Sequence, residues 1–527
     1  MVATCATMSA YDFKADNLYY NITSDSTVEV TCIRATYPSP YSGDIVIPKT
    51  VTYEGNEYTV TQIGEFAFYG GYGITSVVIP NTVTVIGMSS FIRCRSLTSI
   101  DIPNSVTRIV SSAFSECSGL KSLYIPASVT YIGGNPFNNC SGLESIVVDE
   151  DNPVYDSREG CNAIIQTATN TMIVGCQNTV IPESVRTFGQ CVFSGMTGIT
   201  SFVIPEGTTK IASYMFLDCT NLASVEIPNT VTSIDFGAFA NCSSLPHVEI
   251  PNSVWSIGRD CFVNMTSLES FHIPSSVTRI YEGFLFGCSA LTSLTVANDN
   301  RYYDSRDNCN AIIETSSNKL MAGCQNTVIP STVTAIGYSA FSGNVMTSID
   351  VPNNVTSIER YAFGHCPNLT KATLPDSITT IEEGTFYQCE MLKSITIPAL
   401  VTSIGDNAFR MCYAMNKVVS LPIVPPSLTQ YTFAESYGAT LYVPYESLED
   451  YRAHEEWGKF SHIVPFIGGG PGDVNGDGSI GISDVTSIID MILNDVDDKP
   501  AYFDLNGDGS VGISDVTTII DMLLADN

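Results

Sequence analysis

A unit of 23 residues repeats along most of this 527-residue chain. One copy, Ile102 to Ile125, reads I-P-N-S-V-T-R-I-V-S-S-A-F-S-E-C-S-G-L-K-S-L-Y-I, and Pro126 restarts it. Prolines after an aliphatic residue recur at Pro80, Pro103 and Pro126, at Pro182, Pro205, Pro228, Pro251 and Pro274, and at Pro330, Pro352, Pro375 and Pro398. A period in the twenties marks a solenoid, in which each coil buries its apolar face against its neighbours. Such a core grows along one axis, so the length does not force a split into compact domains.

Three pieces are legible in each unit. L-x-S-I-x-I, as in Leu97 to Ile102, predicts a strand, and Pro103 ends it because proline cannot donate to a ladder. S-V-T-x-I, Ser105 to Ile109, predicts a second extended piece. A-F-x-x-C, Ala113 to Cys117, predicts a short helical turn with Phe and Cys inward. Equivalent strands stack about 4.8 Å apart into a parallel sheet, over about sixteen coils spanning residues 58–424. Residues 11–57 alternate apolar and polar positions and predict a cap of short antiparallel strands. Residues 425–467 predict a closing cap with a strand, a helix over Glu446 to Glu455 and a final strand, anchored by Trp457. Two coils, near 149–178 and 297–326, are longer; their inserts match at a distance of 148 residues and predict hairpins. Cys161 with Cys176, and Cys309 with Cys324, flank those hairpins, which leaves a disulfide open there. Nine of the 17 cysteines sit instead at the A-F-x-x-C position and predict a column of buried thiols.

Charged residues are 15% of the chain and the net charge is −31. With no basic run, nucleic acid and anionic membranes are poor partners. No apolar run reaches the roughly 18 residues of a membrane span. Residues 1–10 read either as a signal-peptide remnant or as a frayed terminus. The five histidines are dispersed, and no nucleophile elbow, phosphate loop or H-E-x-x-H motif occurs. No catalytic residues are assigned from the sequence, and paired carboxylates for glycoside hydrolysis stay open, since spacing in sequence does not show spacing in space. The outward strand positions form a serine column and a variable column holding Asp101, Tyr124, Glu226, Glu249, His272 and Asp350. That face either binds a macromolecule, protein or glycan, or is simply solvated.

After the Gly-rich linker 468–472 the chemistry changes. Asp473 to Asp484 reads D-V-N-G-D-G-S-I-G-I-S-D, and Asp504 to Asp515 repeats it 31 residues later. A twelve-residue loop of oxygen donors suits Ca²⁺. The first loop offers Asp473, Asn475, Asp477, Ser479 and Asp484. The second offers Asp504, Asn506, Asp508, Ser510 and Asp515, so two Ca²⁺ are expected. Apolar residues at helical spacing follow each loop, which predicts a small all-α domain over 473–527.

The 23-residue unit resembles the BspA-like leucine-rich repeat of bacterial surface proteins, and the duplicated loop-plus-helix resembles a type I dockerin. The first resemblance implies a secreted or cell-surface adhesion or recognition role in bacteria. The second implies a cohesin partner on a scaffold or surface, or membership of a cellulosome-like assembly that degrades polysaccharide. It also implies that Ile482, Ser483, Ile513 and Ser514 contact the cohesin. Ile489-Asp490 and Ile520-Asp521 stand where dockerins usually carry a basic pair, which leaves the cohesin class open.

Overall fold

The computed structural model describes residues 11–32, 39–466, 472–475, 479–493 and 503–525. The expected signal remnant 1–10, most of the linker 468–472 and Asp477 lie outside the described residues. The chain is a β-solenoid of about 18 coils of about 23 residues. That exceeds the sixteen expected because the caps also supply strands that pair in parallel with the repeats. Two compact units result, Met1–Leu268 with Arg279–Phe284, and Glu269–Thr278 with Leu285–Asn527.

In the first unit, Phe13–Ala15, Leu18–Ser24 and Thr27–Thr31 form an antiparallel meander. Thr27–Thr31 then pairs in parallel with Asn56–Ile63, and Val85–Ile86, Arg108–Ile109 and Tyr131–Ile132 extend the ladder one coil at a time. The S-V-T-x-I piece therefore forms the more regular ladder here. The L-x-S-I-x-I piece pairs in short blocks, such as Ser122–Ile125 with Ser145–Val148 and Ser201–Val203 with Ser224–Glu226. The expected strand Leu97–Ile102 does not form. A proline in every coil removes a ladder donor, which keeps these pairings short. The second unit carries a longer run on this face. Ser348–Asp350, Lys371–Thr373, Ser394–Ile397, Lys417–Ser420, Thr440–Pro444 and His462–Phe466 make a six-stranded parallel sheet.

The A-F-x-x-C piece is not a helical turn, which corrects the sequence expectation. The N–H groups of Ala113, Ser115 and Cys117 donate within the coil, to Val110, Ser112 and Phe114. Those of Ser112, Phe114 and Glu116 donate to the next coil, at Gly134, Pro136 and Asn138, over 2.7 to 3.1 Å. Alternate donors thus point along and across the stack, which places Ser112 and Glu116 at positive φ, 57° and 59°. A helix would send every donor along its own chain and leave the neighbouring carbonyls without partners.

The core is a set of columns. Phe68, Phe91, Phe114 and Phe137 stack at 5.0, 5.1 and 5.2 Å between ring centroids. In the second unit Phe341, Phe363, Phe386, Phe409 and Phe433 do the same, and Trp457 and Phe460 close the end. Trp457 is fully buried and its indole N–H donates to the Pro426 carbonyl at 2.9 Å. Beside each ring column runs the thiol column. Cys117, Cys140, Cys219 and Cys242 each donate to the carbonyl of the Phe in the preceding coil, at 3.0 to 3.1 Å. Burial pushes the Cys140 and Cys412 thiols up to about 12, so they stay protonated donors.

The long coils are three-stranded meanders. Tyr155–Asp156, Ala163–Gln166 and Thr171–Gly175 pair antiparallel, as do Tyr303–Asp304, Ala311–Glu314 and Lys319–Gly323. Gly175 and Gly323 end them where a Cβ would strike the rings of Phe193 and Phe341. Cys161, Cys176, Cys309 and Cys324 are free buried thiols. Cys176 and Cys324 donate to the Asn162 and Asn310 carbonyls at 3.3 and 3.5 Å. The disulfides left open by the sequence are therefore not formed. The closing cap holds helix α1, Leu448–Ala453, shorter than the span expected.

Phe114→Ala leaves a void between two stacked rings and is expected to cost about 3–5 kcal/mol. Denaturant unfolding reads this, and a change below about 1 kcal/mol would show that ring stacking does not carry the core.

Candidate calcium loops and strand face

Every variable outward residue named from the sequence is exposed. Asp101, Tyr124, Glu226 and Glu249 lie on the first unit, and His272 and Asp350 on the second. Several are engaged with the next coil. The Tyr124 hydroxyl donates to Asp149 and holds that carboxyl below its ordinary range. His272 Nδ1 lies 2.9 Å from Thr295 Oγ1, and Thr373 donates to Asp350 at 2.7 Å. Sequence reasoning missed that valines share this column in the first unit. Register places Val147 beside Tyr124, Val203 beside Glu226 and Val46 beside Val78. These four valines are 47% to 66% exposed. The repeat phase would have found Val147 and Val203, because each follows the same S-x pair.

The tail folds as two loop-and-helix halves. Helix α2, Ile482–Leu493, and helix α3, Ile513–Ala525, each start two residues before the last acid of a loop. Val474, Ile488, Phe503, Leu505 and Ile519 make their common core. Asp484 and Asp515 are fully buried. Asp484 accepts the N–H groups of Val474, Asn475 and Gly481, at 2.8 to 3.1 Å. Asp515 accepts those of Asn506 and Gly512 at 3.2 and 2.8 Å. Each therefore ties the start of its loop to its end. An acid in the first turn of a helix also meets a favourable dipole.

In the second loop Asp504 accepts three N–H groups, from Gly507, Asp508 and Gly509, and Asn506 accepts that of Asp508. Burial first, and then the charges of Asp515 and Asp508, push the Asp504 carboxyl up. Ser510 holds the exposed Asp508 down through its hydroxyl. Among the described residues no group of three or more His, Cys, Asp or Glu side chains is arranged as a metal cluster. The donor chemistry nevertheless suits a hard cation. The tail from Asp473 onward has twelve Asp and one Lys, Lys499. Buried carboxylates without a cation are costly, and oxygen donors of this kind match Ca²⁺. Asp473, Asn475, Ser479 and Asp484 stand in the first loop, although Asp477 lies outside the described residues.

The residues named for partner contact lie on the outside of both helices. Ile482, Ser483, Ile489 and Asp490, and Ile513, Ser514, Ile520 and Asp521, are all exposed. Leu493 and Leu524 extend the apolar members of each set, at 75% and 70% exposure. Asp515→Ala removes the acceptor for two loop N–H groups and is expected to destabilise the second loop by about 1–3 kcal/mol. Hydrogen exchange over 503–515 in the full chain under chelator measures this. Unchanged protection would show that the carboxylate does not hold the loop.

The BspA type leucine rich repeat region matches residues 44–158, 170–302 and 312–440, in 6 copies. The dockerin type I domain matches residues 471–524. Both are non-catalytic binding modules, and type I dockerins bind calcium. Among the described residues no helix is long and apolar enough to cross a membrane. Among solved structures the chain is similar to a leucine rich cell surface protein from Faecalibacterium prausnitzii A2-165, at 25% identity and a TM-score of 0.42, over 85% of this chain and 97% of that one. A leucine-rich repeat protein from Bacteroides ovatus is 24% identical, with a TM-score of 0.33, over 86% and 100% of the two chains. The pneumococcal vaccine antigen PcpA is 17% identical, with a TM-score of 0.33, over 83% and 94%. No curated protein matches. The repeat match spans most of the length, so the chain belongs to the BspA-type leucine-rich-repeat family and carries a type I dockerin domain.

Proposed function

We propose that this is a non-catalytic, secreted or cell-surface bacterial binding protein. Its repeat array recognises a macromolecule, and its dockerin docks with calcium onto a cohesin-bearing scaffold or surface. The array occupies 58–424 between caps at 11–57 and 425–467, and the dockerin 473–527 holds two Ca²⁺. The observation that carries the reading is the pair of matching exposed stripes, Ile482, Ile489 and Leu493 on α2 and Ile513, Ile520 and Leu524 on α3. Exposed apolar side chains in register on two helices mark a protein contact. Each stripe begins just before the acid that closes a calcium loop, so the metal orders the helix start that the partner meets. Asp490 and Asp521 border the stripes, which favours a cohesin face carrying positive charge. On the array, Asp101, Tyr124, Glu226, Glu249, His272 and Asp350 are the residues assigned to ligand contact.

Calorimetry is expected to show calcium uptake that is lost in the double variant Asp473→Ala with Asp504→Ala. Cohesin capture should be reversed by chelator and restored by calcium. Uptake unaffected by the double variant would refute the ligand assignment. Purified protein is expected to leave a polysaccharide panel intact. Turnover of any member would replace the non-catalytic reading with that of a degradative component of a scaffold-borne assembly.

A further inference from the structure

The outward face of the six-stranded sheet in the second unit changes character along its length. Register aligns Asp350 with Thr373, and then Thr396 with Val419, Tyr442 and Val464. The column is polar and exposed as far as Thr396 and apolar and buried over the last three strands. What covers those strands is the dockerin's second half. Met522 of α3 packs into the cluster of Val419, Tyr442, Val464 and Phe466. The Tyr442 hydroxyl donates to the Leu505 carbonyl at 2.8 Å, a fully buried bond. Gly507, at φ 75°, sits so close to the cap that a Cβ there would lie 2.9 Å from Val464 Cγ2.

Leu505 and Gly507 lie between the proposed calcium ligands Asp504, Asn506 and Asp508. Calcium that draws those three side chains together also fixes the backbone that the cap grips. We infer that the closing strands of the repeat array are an intramolecular docking face for the dockerin's second half, and that this clasp and calcium at the second loop stabilise one another. Such coupling is reciprocal: the cap raises calcium affinity at the second loop by the factor by which calcium there tightens the clasp. The stripes on α2 and α3 stay exposed while the clasp is closed, so the clasp leaves the partner-facing side chains accessible. The inference rests on calcium binding at the second loop but not on the identity of the docking partner.

Hydrogen exchange of the full chain, with calcium and with chelator and without any cohesin, tests it. Calcium is expected to slow exchange at Thr440–Pro444 and His462–Phe466, outside the dockerin itself. Tyr442→Phe removes the bond to Leu505 and should reduce that protection about 2- to 10-fold. Met522→Glu places a charge in the apolar contact and should abolish it, while calcium still protects α2. If Met522→Glu also erased protection in α2 by unfolding the dockerin, Tyr442→Phe alone would decide. Cap strands that exchange equally with calcium and with chelator in the unsubstituted protein would overturn the inference. So would calcium-dependent protection left unchanged by Tyr442→Phe. Either result would leave the cohesin reading standing, since no cohesin is present.

Discussion

Eight buried thiols, Cys94, Cys117, Cys140, Cys219, Cys242, Cys366, Cys389 and Cys412, each donate to the carbonyl of a phenylalanine one coil away, at 3.0 to 3.3 Å, and the regular coils of the array depend on that contact. The Phe91 carbonyl accepts both the Cys94 N–H of its own coil and the Cys117 thiol of the next. One residue thus saturates a buried acceptor that a purely apolar side chain would leave half satisfied. The rings meanwhile stack at 5.0 to 5.2 Å, near the roughly 4.8 Å spacing of neighbouring strands. Rings, thiols and backbone ladders therefore share one pitch. A coil one residue shorter keeps all three, as Phe341 stacks on Phe363 and accepts the Cys366 thiol, whereas a bulkier residue at the thiol position would disturb them together.

The same pitch explains the low charge. A residue repeated in every coil meets its own copy about 5 Å away, and like charges so placed repel. Ser and Thr avoid this and bond upward instead. Ser105, Ser128 and Ser253 donate to Val83, Val106 and Val231 at 2.6 to 2.7 Å. Where charges do occur they tend to alternate in sign between coils, as Arg93 with Glu116 and Lys121 with Glu144, at 2.9 and 3.1 Å. The tail's sequence cannot alternate in this way, since it carries twelve Asp and one Lys. That imbalance is a demand for cations, and it sets the tail apart chemically from the array.

The closing cap links the two regions. A solenoid must end its core, and Trp457, Phe460 and Phe433 do so. It must also deal with the outer face of its last strands. Here that face is apolar and covered by Met522 and the second acidic loop. The dockerin's second half thus packs on the closing strands rather than being merely tethered to them.

Sequence alone determined the coil length, the inward Phe and Cys and the duplicated loop-and-helix tail. Each of these follows from local chemistry repeated at a legible spacing: an aliphatic–proline step, an A-F-x-x-C, a D-x-N-x-D-G. Tertiary structure decided the rest. It turned the expected helical turn into a cross-coil ladder, because each alternate N–H finds its acceptor in a neighbouring coil. It kept Cys161 and Cys176 as thiols, each donating to a backbone carbonyl. It placed Val147 and Val203 beside Tyr124 and Glu226 on the outward face. It joined Tyr442 to Leu505 across 63 residues. No spacing in the sequence encodes that contact, because it depends on where two separately folded surfaces meet.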